Sequence, residues 1–403
     1  MDQAETLKVM MALCGGPDDS GDEARFVGGC VRDAILNRSV YDIDIATVWT
    51  PDEVIKRLED AEIKAIPTGL AHGTVTAVVN GNPFEITTLR KDVKTDGRHA
   101  DVEFTDDWCE DASRRDFTMN AMYATVRGEI SDYFNGLEDA RSGVVRFIND
   151  PNTRISEDYL RILRFYRFSA HYAKVDALPD ARAACKGNVQ YLSNLSAERV
   201  QVEVFKLLTS DECYDILLMM KEDGVFEHIL KSFKNFDALA KLMELEDKLD
   251  SKTYIPRRIA CLIGFDADAV EESAMSLRLS NADRKSIEAM CAKDTLVPHT
   301  LSDHELRVEI YQRSLDEVRN SMLMYAAYND VSADDIRSAY EFVNKTRLPD
   351  FPVEGEDLKK RGIKQGKNFG DILRTLETWW VDQDFSAGRT ACLDKLDEII
   401  GQK

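Results

Sequence analysis

The hydrophobic period of this chain changes once, and that change limits what it can fold into. Up to about residue 150, segments with a two-residue period alternate with helical ones. From about Ser156 onward the strand signals fade and only helical periodicity remains. FVGG reads as a strand running into a glycine turn, VRDAILN as a helix start and YDIDIAT as a strictly alternating strand. PDEVIKRLEDA is an amphipathic helix with Pro51 in its first turn. GTVTAVV and FEITTLR are strands joined by the hairpin-like NGNP. KDVKTDGRHADVEFT, polar and Gly-containing, reads as a mobile loop. SRRDFTMNAMYA opens a helix, GEISDYFNG follows as strand and turn, and residues 1–24 form a short helix and a loop. The first ~150 residues are therefore α/β, a common domain size. The rest is all-α. In SAERVQVEVFKLL, Val200, Val204, Leu207 and Leu208 form one apolar stripe.

A chain of 403 residues is too long for one ordinary core and predicts two to four domains. With 44% apolar and 31% charged residues it is a globular sequence. Its 52 Lys+Arg against 73 Asp+Glu leave a net charge of −21, which excludes nonspecific adhesion to polyanions; any nucleic-acid site must be a local basic patch. The eight cysteines are scattered without a CxxC pair and read as reduced thiols, which predicts a cytoplasmic location. There is no apolar run of membrane-spanning length, and MDQAETLKVM lacks a signal-peptide pattern.

Asp42 and Asp44 stand two apart on the expected strand. Both carboxylates then point to one face, roughly 6.5 Å apart along the chain. Alone, the pair fits an exposed strand edge. Two divalent cations about 4 Å apart would relieve the repulsion and would serve an attacking and a leaving oxygen together. Magnesium suits such carboxylate-plus-phosphate sites. Gly28-Gly29 precede a helix start just upstream, where backbone can approach a phosphate closely, and Arg32 in the first turn adds a possible bidentate contact. A GG turn, an early Arg and a DxD strand within 17 residues favour the metal-and-phosphate reading. Glu85 in FEITTLR is either a third carboxylate or a solvent-side strand residue.

SEDYLRILRFYRFSA is the second strong signal. Ser156 reads as its N-cap, with Glu157 and Asp158 in the first turn. Asp158, Arg161, Arg164 and Arg167 follow at steps of three and fan across one side of a helix. From Arg141 to Lys174, seven Lys/Arg face three Asp/Glu, a basic island in an acidic protein. Leu160, Ile162, Leu163, Phe165 and Phe168 crowd the same helix, so the arginines are expected to be partly buried and to need anionic partners, a triphosphate or an RNA end among them. An Asp–Arg pair accepts and donates side by side. Cytosine and adenine each present an amino donor beside a ring acceptor, so Asp158 and Arg161 could read both and reject guanine and uracil. In SRRDFTMNA, Arg115 either binds phosphate or compensates a helix dipole.

FVGGCVRD, YDIDIAT, HGTVTAVV, TDGRHADVEF, RRDFTMNAM and EDYLRILRFYRF, in this order and spacing, resemble the bacterial-type (class II) CCA-adding tRNA nucleotidyltransferases and their relatives, the bacterial poly(A) polymerases. The resemblance spans about residues 26–170. It implies a polymerase-β-like nucleotidyltransferase head at 1–148, followed by an all-α neck at 149–210 that reads the base, a body at 211–295 and a tail at 296–403 that hold tRNA. It implies Asp42 and Asp44 as catalytic and metal carboxylates for two Mg2+ ions, with CTP and ATP as substrates. Gly29, Arg32 and Arg115 would contact the triphosphate, Asp158 and Arg161 would read the base, and Arg164 and Arg167 would lie beside the nucleotide. The loop around Thr95–Ala100 would help switch from C to A addition. No membrane and no obligate protein partner are implied. The rivals are a poly(A) polymerase, an enzyme adding only CC or only A, a non-catalytic RNA-binding protein and a small-molecule nucleotidyltransferase.

Overall fold

The computed structural model describes residues 3–14, 23–95, 100–364 and 366–401. The chain divides into two units, Met1–Lys231 with Ser276–Arg278, and Ser232–Met275 with Leu279–Lys403.

The first unit opens with α1 (Gln3–Cys14), β1 (Ala24–Val27), α2 (Gly29–Ile35), β2 (Asp44–Thr47) and α3 (Pro51–Asp60). Strands β3 (Lys64–Gly69), β4 (Thr74–Val79), β5 (Asn82–Thr88), β6 (Arg90–Thr95) and β7 (Ala100–Phe104) follow. Then come α4 (Trp108–Ser113), β8 (Met122–Ala124), β9 (Ile130–Asp132) and the helices α5 (Gly136–Ser142), α6 (Pro151–Glu157), α7 (Leu160–Tyr172), α8 (Pro179–Gly187) and α9 (Ala197–Leu207). Seven strands form a mixed sheet in the order β3-β4-β5-β2-β1-β8-β9. Only β2–β5 among its pairs is parallel, and it sets Asp44 opposite Glu85. Side chains alternate across the sheet. Ile45, Phe84 and Ile86 enter a core with Val9, Leu13, Val54 and Leu58 of α1 and α3. Ala46 and Leu89 enter the opposite core with Trp108, Ala112 and Tyr123. Asp44 and Glu85 therefore share the second face. The α/β head followed by a helical remainder agrees with the sequence.

The NGNP hairpin is a two-residue turn: Val79 pairs with Asn82, and both Asn80 (φ 52°) and Gly81 (φ 88°) are left-handed. Three local expectations are corrected. The segment read as a mobile loop is largely a β-ribbon, β6 paired antiparallel with β7. Residues 96–99, the centre of the loop expected at Thr95–Ala100, lie outside the described residues. SRRDFTMNAMYA does not open a helix. It follows α4, whose N-cap Asp107 accepts from the Cys109 and Glu110 N–H groups, and it runs into a 3-10 turn and β8.

The third correction concerns the arginine helix. Ser156 is not its N-cap. Asp150 caps the short α6 by accepting the Thr153 N–H, with Pro151 in the first turn. Ser156 lies inside α6 and donates to the Thr153 carbonyl. Asp158 is the extended residue (φ −157°, ψ 105°) between α6 and α7, and α7 begins at Leu160. Asp158 thus lies outside the helix that carries Arg161, Arg164 and Arg167. Asp150-Pro151 captures the earlier start because a capping carboxylate and a prefixed φ outweigh a lone serine cap.

In the second unit, Val353, Leu358, Ile372, Leu376, Trp380, Phe385, Cys392 and Leu396 form one helical core. Among the described residues the eight cysteines form no disulfide, and no helix is long and apolar enough to cross a membrane.

Candidate active site

A cavity of about 540 Å³ opens in the first unit. It gathers Gly28, Gly29 and Arg32 from the first turn, Asp42 and Asp44 from β2 and its approach, Arg115, and Asp158, Arg161, Arg164 and Arg167. All nine site residues named from the sequence line this one cavity.

Gly28 has φ +73° and turns the end of β1 into α2; a Cβ there would stand 3.6 Å from an Arg115 nitrogen. The positive φ explains a glycine at this point; the contact at 3.6 Å is an ordinary one. Arg32 is buried, with four of its five guanidinium N–H groups in hydrogen bonds and one left on Nη1. It makes a bidentate contact with Asp33, donates to Asn120 Oδ1 and the Tyr172 hydroxyl, and stacks 4.0 Å from the Tyr172 ring.

Asp42 precedes β2 and Asp44 begins it; both side chains reach solvent. Although accessible, the Asp44 carboxylate lies in the cavity wall. That partial desolvation, followed by the charge of Glu85 in register, raises its affinity for a proton, and Asp42 adds to this against the counter-effect of Arg115. Among the described residues no three His, Cys, Asp or Glu converge tightly enough to form a closed metal cage. The arrangement fits hard cations that take two carboxylates and fill their remaining positions with water and substrate oxygens. Mutual carboxylate repulsion beside a solvent-open cavity is the fitting feature.

Arg115 is held by Asp111. Its Nε and Nη2 donate to Asp111 Oδ2, while Arg114 takes Oδ1 and the Tyr123 hydroxyl also donates to Oδ2. Asp111 is buried, and its two arginines hold its carboxyl well below the usual range despite the burial. Asp111 received no role from sequence because its partners become evident only once α4 is formed.

Asp158 and Arg161 line the same cavity but do not pair through their side chains. Asp158 Oδ1 accepts the Leu160 N–H, and Oδ2 lies 2.6 Å from Arg199 Nη2. Arg161 donates to Glu157 and to the carbonyls of Arg154 and Arg114. Both groups are thereby fixed, with the remaining carboxylate lone pairs and guanidinium hydrogens uncommitted to these bonds.

The expected burial of the arginines is present, and their partners are internal. Arg164 meets Asp116, and Arg167 Nε lies 2.6 Å from Glu203 Oε2. Asp116 is buried and held at about 2; burial works against this, but Arg164 and the bonds from Asn120 and the Phe117 N–H overcome it. Burial opposes the charge of Arg167, and neighbouring Arg164 weakens it further, so its proton is held less firmly than an ordinary arginine's. Glu203 was missed from sequence. It sits three residues after Val200 and four before Leu207, a lone acid on the buried stripe of α9, and that position was its available signal.

A model described as the Poly A polymerase head domain matches residues 24–146, and one described as a probable RNA and SrmB-binding site of polymerase A matches 178–237. The mitochondrial CCA tRNA nucleotidyltransferase 1 of Danio rerio is 33% identical over 93% of this chain and 87% of its own length. The chain belongs to the CCA-adding enzyme family. The CCA-adding enzyme of Lactobacillus delbrueckii subsp. bulgaricus is 32% identical, covering 89% of each chain. The crystal structure of the Bacillus stearothermophilus CCA-adding enzyme in complex with CTP superposes with a TM-score of 0.74 at 25% identity, over 99% of this chain and 98% of that one. The polymerase-β-like head and helical remainder expected from the resemblance are the fold of this family.

Proposed function

We propose that this protein adds CCA to the 3′ end of tRNA without a template, using CTP and ATP and releasing pyrophosphate. The observation that carries the reading is the convergence of Asp42, Asp44 and the Gly28-Gly29 turn with Asp158 and Arg161 in one cavity. One end offers carboxylates and backbone suited to a metal-bound triphosphate. The other offers an acceptor and a donor suited to the shared edge of cytosine and adenine.

In this reading Asp42 and Asp44 would hold two Mg2+ ions, which when bound would supply Lewis acidity to the attacking and leaving oxygens. Gly29, Arg32 and Arg115 hold the phosphates, Arg164 and Arg167 flank the nucleotide, and Asp158 and Arg161 select the base. The tRNA 3′-oxygen attacks the α-phosphorus, the bond to the bridging oxygen of the β-phosphate breaks, and the hydroxyl proton is released to solvent. The protein's own contribution is mainly orientation and fixed charge, as in other phosphoryl-type transfers. Asp111, Asp116, Glu157 and Glu203 keep the arginines placed before substrate arrives.

We further assign the head to 1–148, the neck to 149–210, the body to 211–295 and the tail to 296–403, and a cytoplasmic location, which the eight thiol cysteines support. The assay is incubation with tRNA lacking its 3′ end, with CTP and ATP separately and together. Growth by CC with CTP alone, and by CCA with both, is expected. Long A tracts would favour poly(A) polymerase, the activity in the matching head model's description, and extension by only CC or only A would favour a half-enzyme. No magnesium-dependent incorporation would overturn the reading.

A further inference from the structure

The cavity has a surplus of positive charge at one end. Arg32 there is matched by Asp33, and Arg161 by Glu157. Around Phe168 the count differs: Arg164 and Arg167 pair with Asp116 and Glu203, Asp158, itself paired with Arg199, adds its charge to Arg164, and Lys206 is a further cation. Arg164 lies 3.8 Å from Glu203 as well as on Asp116, so the two carboxylates are already taken by the two arginines. Lys206 lines the same cavity, and its side chain is exposed.

The backbone under Lys206 is fixed. It occupies the last turn of α9, one turn beyond Glu203, and its carbonyl lies 2.7 Å from His171 Nε2 and accepts from the Thr209 hydroxyl at 2.7 Å. Solvated lysines commonly stand at helix C-termini, where the dipole favours them. This one differs in facing a cavity with too few anions. Burial first, and the neighbouring arginines after it, weaken the hold of Arg167 and His171 on their protons.

We propose that Lys206 is a further substrate-binding residue, whose ammonium grips a phosphate of the incoming nucleoside triphosphate beside Arg164 and Arg167. The inference rests on the nucleotide-binding assignment above. It goes beyond that assignment in adding α9, an element with no nucleotide role so far, to the phosphate site. A compact ammonium on a flexible stem suits a phosphate that moves as pyrophosphate leaves, whereas Arg164 and Arg167 are already placed against Asp116 and Glu203.

The test is steady-state kinetics of Lys206→Ala, Lys206→Arg and Arg167→Ala with tRNA, CTP and ATP. Losing one charge-assisted phosphate contact should raise KM for both CTP and ATP by about tenfold, a larger factor than any fall in kcat. The inhibition constant of pyrophosphate should rise in parallel, the CTP/UTP preference should stay, and Lys206→Arg should recover most of the loss. Lys206→Ala with unchanged nucleotide KM and pyrophosphate inhibition, while Arg167→Ala raises both, would overturn the role of Lys206 alone. A rise confined to the KM for tRNA would also overturn it, placing the lysine on RNA phosphate. No change in either variant would overturn the nucleotide site together with it.

Discussion

Arg164 and Asp116, 48 residues apart, meet with Arg164 Nε donating to Asp116 Oδ2 at 2.6 Å. The contact ties α7 to the segment that follows α4, and so holds the arginine helix against the sheet domain. Asp116 also accepts from the Asn120 amide and the Phe117 N–H. Every partner stabilises its ionised form.

Asp116→Asn should therefore lower the melting temperature at neutral pH, at a cost of about 3–5 kcal/mol if Arg164 is left half-paired. The pH dependence has a definite sign. A carboxyl held at about 2, against an ordinary 3.8, contributes stability above 3.8 and loses it as pH falls toward 2. Thermal melts of both proteins from pH 6 downward should show the gap narrowing below about pH 4. A gap that stayed constant would show that the loss is steric.

The same contact marks the boundary of what the sequence makes legible. A run into a glycine turn located β1, strict alternation β2, the NGNP turn β4 and β5, and Pro51 α3, because these signals are local. All nine proposed site residues are short-range motifs, and they do converge. Asp111 holds Arg115 locally, four residues away, but what holds the others is not local: Asp116 for Arg164, Glu203 for Arg167 and Arg199 for Asp158. These pairings depend on how α4, α7 and α9 pack. The misplaced start of α7 has a different cause. Two capping signals, Asp150-Pro151 and Ser156, lie six residues apart, and the choice between them follows from side-chain hydrogen bonds that the sequence pattern does not rank.

Asp44 faces Glu85 in register and has Asp42 close by, so its charge is a burden on the metal-free fold. Asp44→Asn should melt at the same temperature or higher without divalent ions, while nucleotide incorporation falls by a factor on the order of 10³ or more. Magnesium should stabilise the wild type and not the variant. A variant that lost both stability and activity would mean that Asp44 is structural.

Arg161 is fixed by the Arg154 and Arg114 carbonyls and by Glu157. Its truncation should affect choice more than affinity. For Arg161→Ala the CTP over UTP preference should fall by about 10–100-fold, since a site with its donor removed no longer penalises the wrong base. The triphosphate contacts remain, so KM for CTP should move less. Competition of the two nucleotides in one primer-extension assay measures the ratio directly. An unchanged ratio would remove Arg161 from base reading.

Gly136 opens α5 where a Cβ would stand 2.1 Å from the Thr118 carbonyl oxygen and 2.7 Å from its carbon. Those atoms are backbone and cannot swing aside. Gly136→Ala should cost at least about 1–3 kcal/mol by overpacking. The displaced 3-10 turn carries Asn120, a partner of Arg32, so nucleotide affinity should fall together with stability. Gly187→Ala, where a Cβ would have no heavy atom within 4 Å, is the control that should leave both intact.

In the second unit, Glu246 is buried and both oxygens are occupied: Arg257 lies on Oε1 at 2.6 Å and Arg258 on Oε2 at 2.8 Å. Arg257 also donates to Asn320, Ser251 and the Lys252 carbonyl. One carboxylate thus neutralises part of two buried guanidinium charges. Glu246→Gln keeps the shape and removes the charge. It should destabilise this unit by about 3–5 kcal/mol, because both arginines stay charged and buried. Since the cavity proposed as the active site is lined wholly by the first unit, the transition reporting the second unit should move down in calorimetry while incorporation on a saturating primer at low temperature persists. If one cooperative transition moved instead, the two units would unfold as a single body.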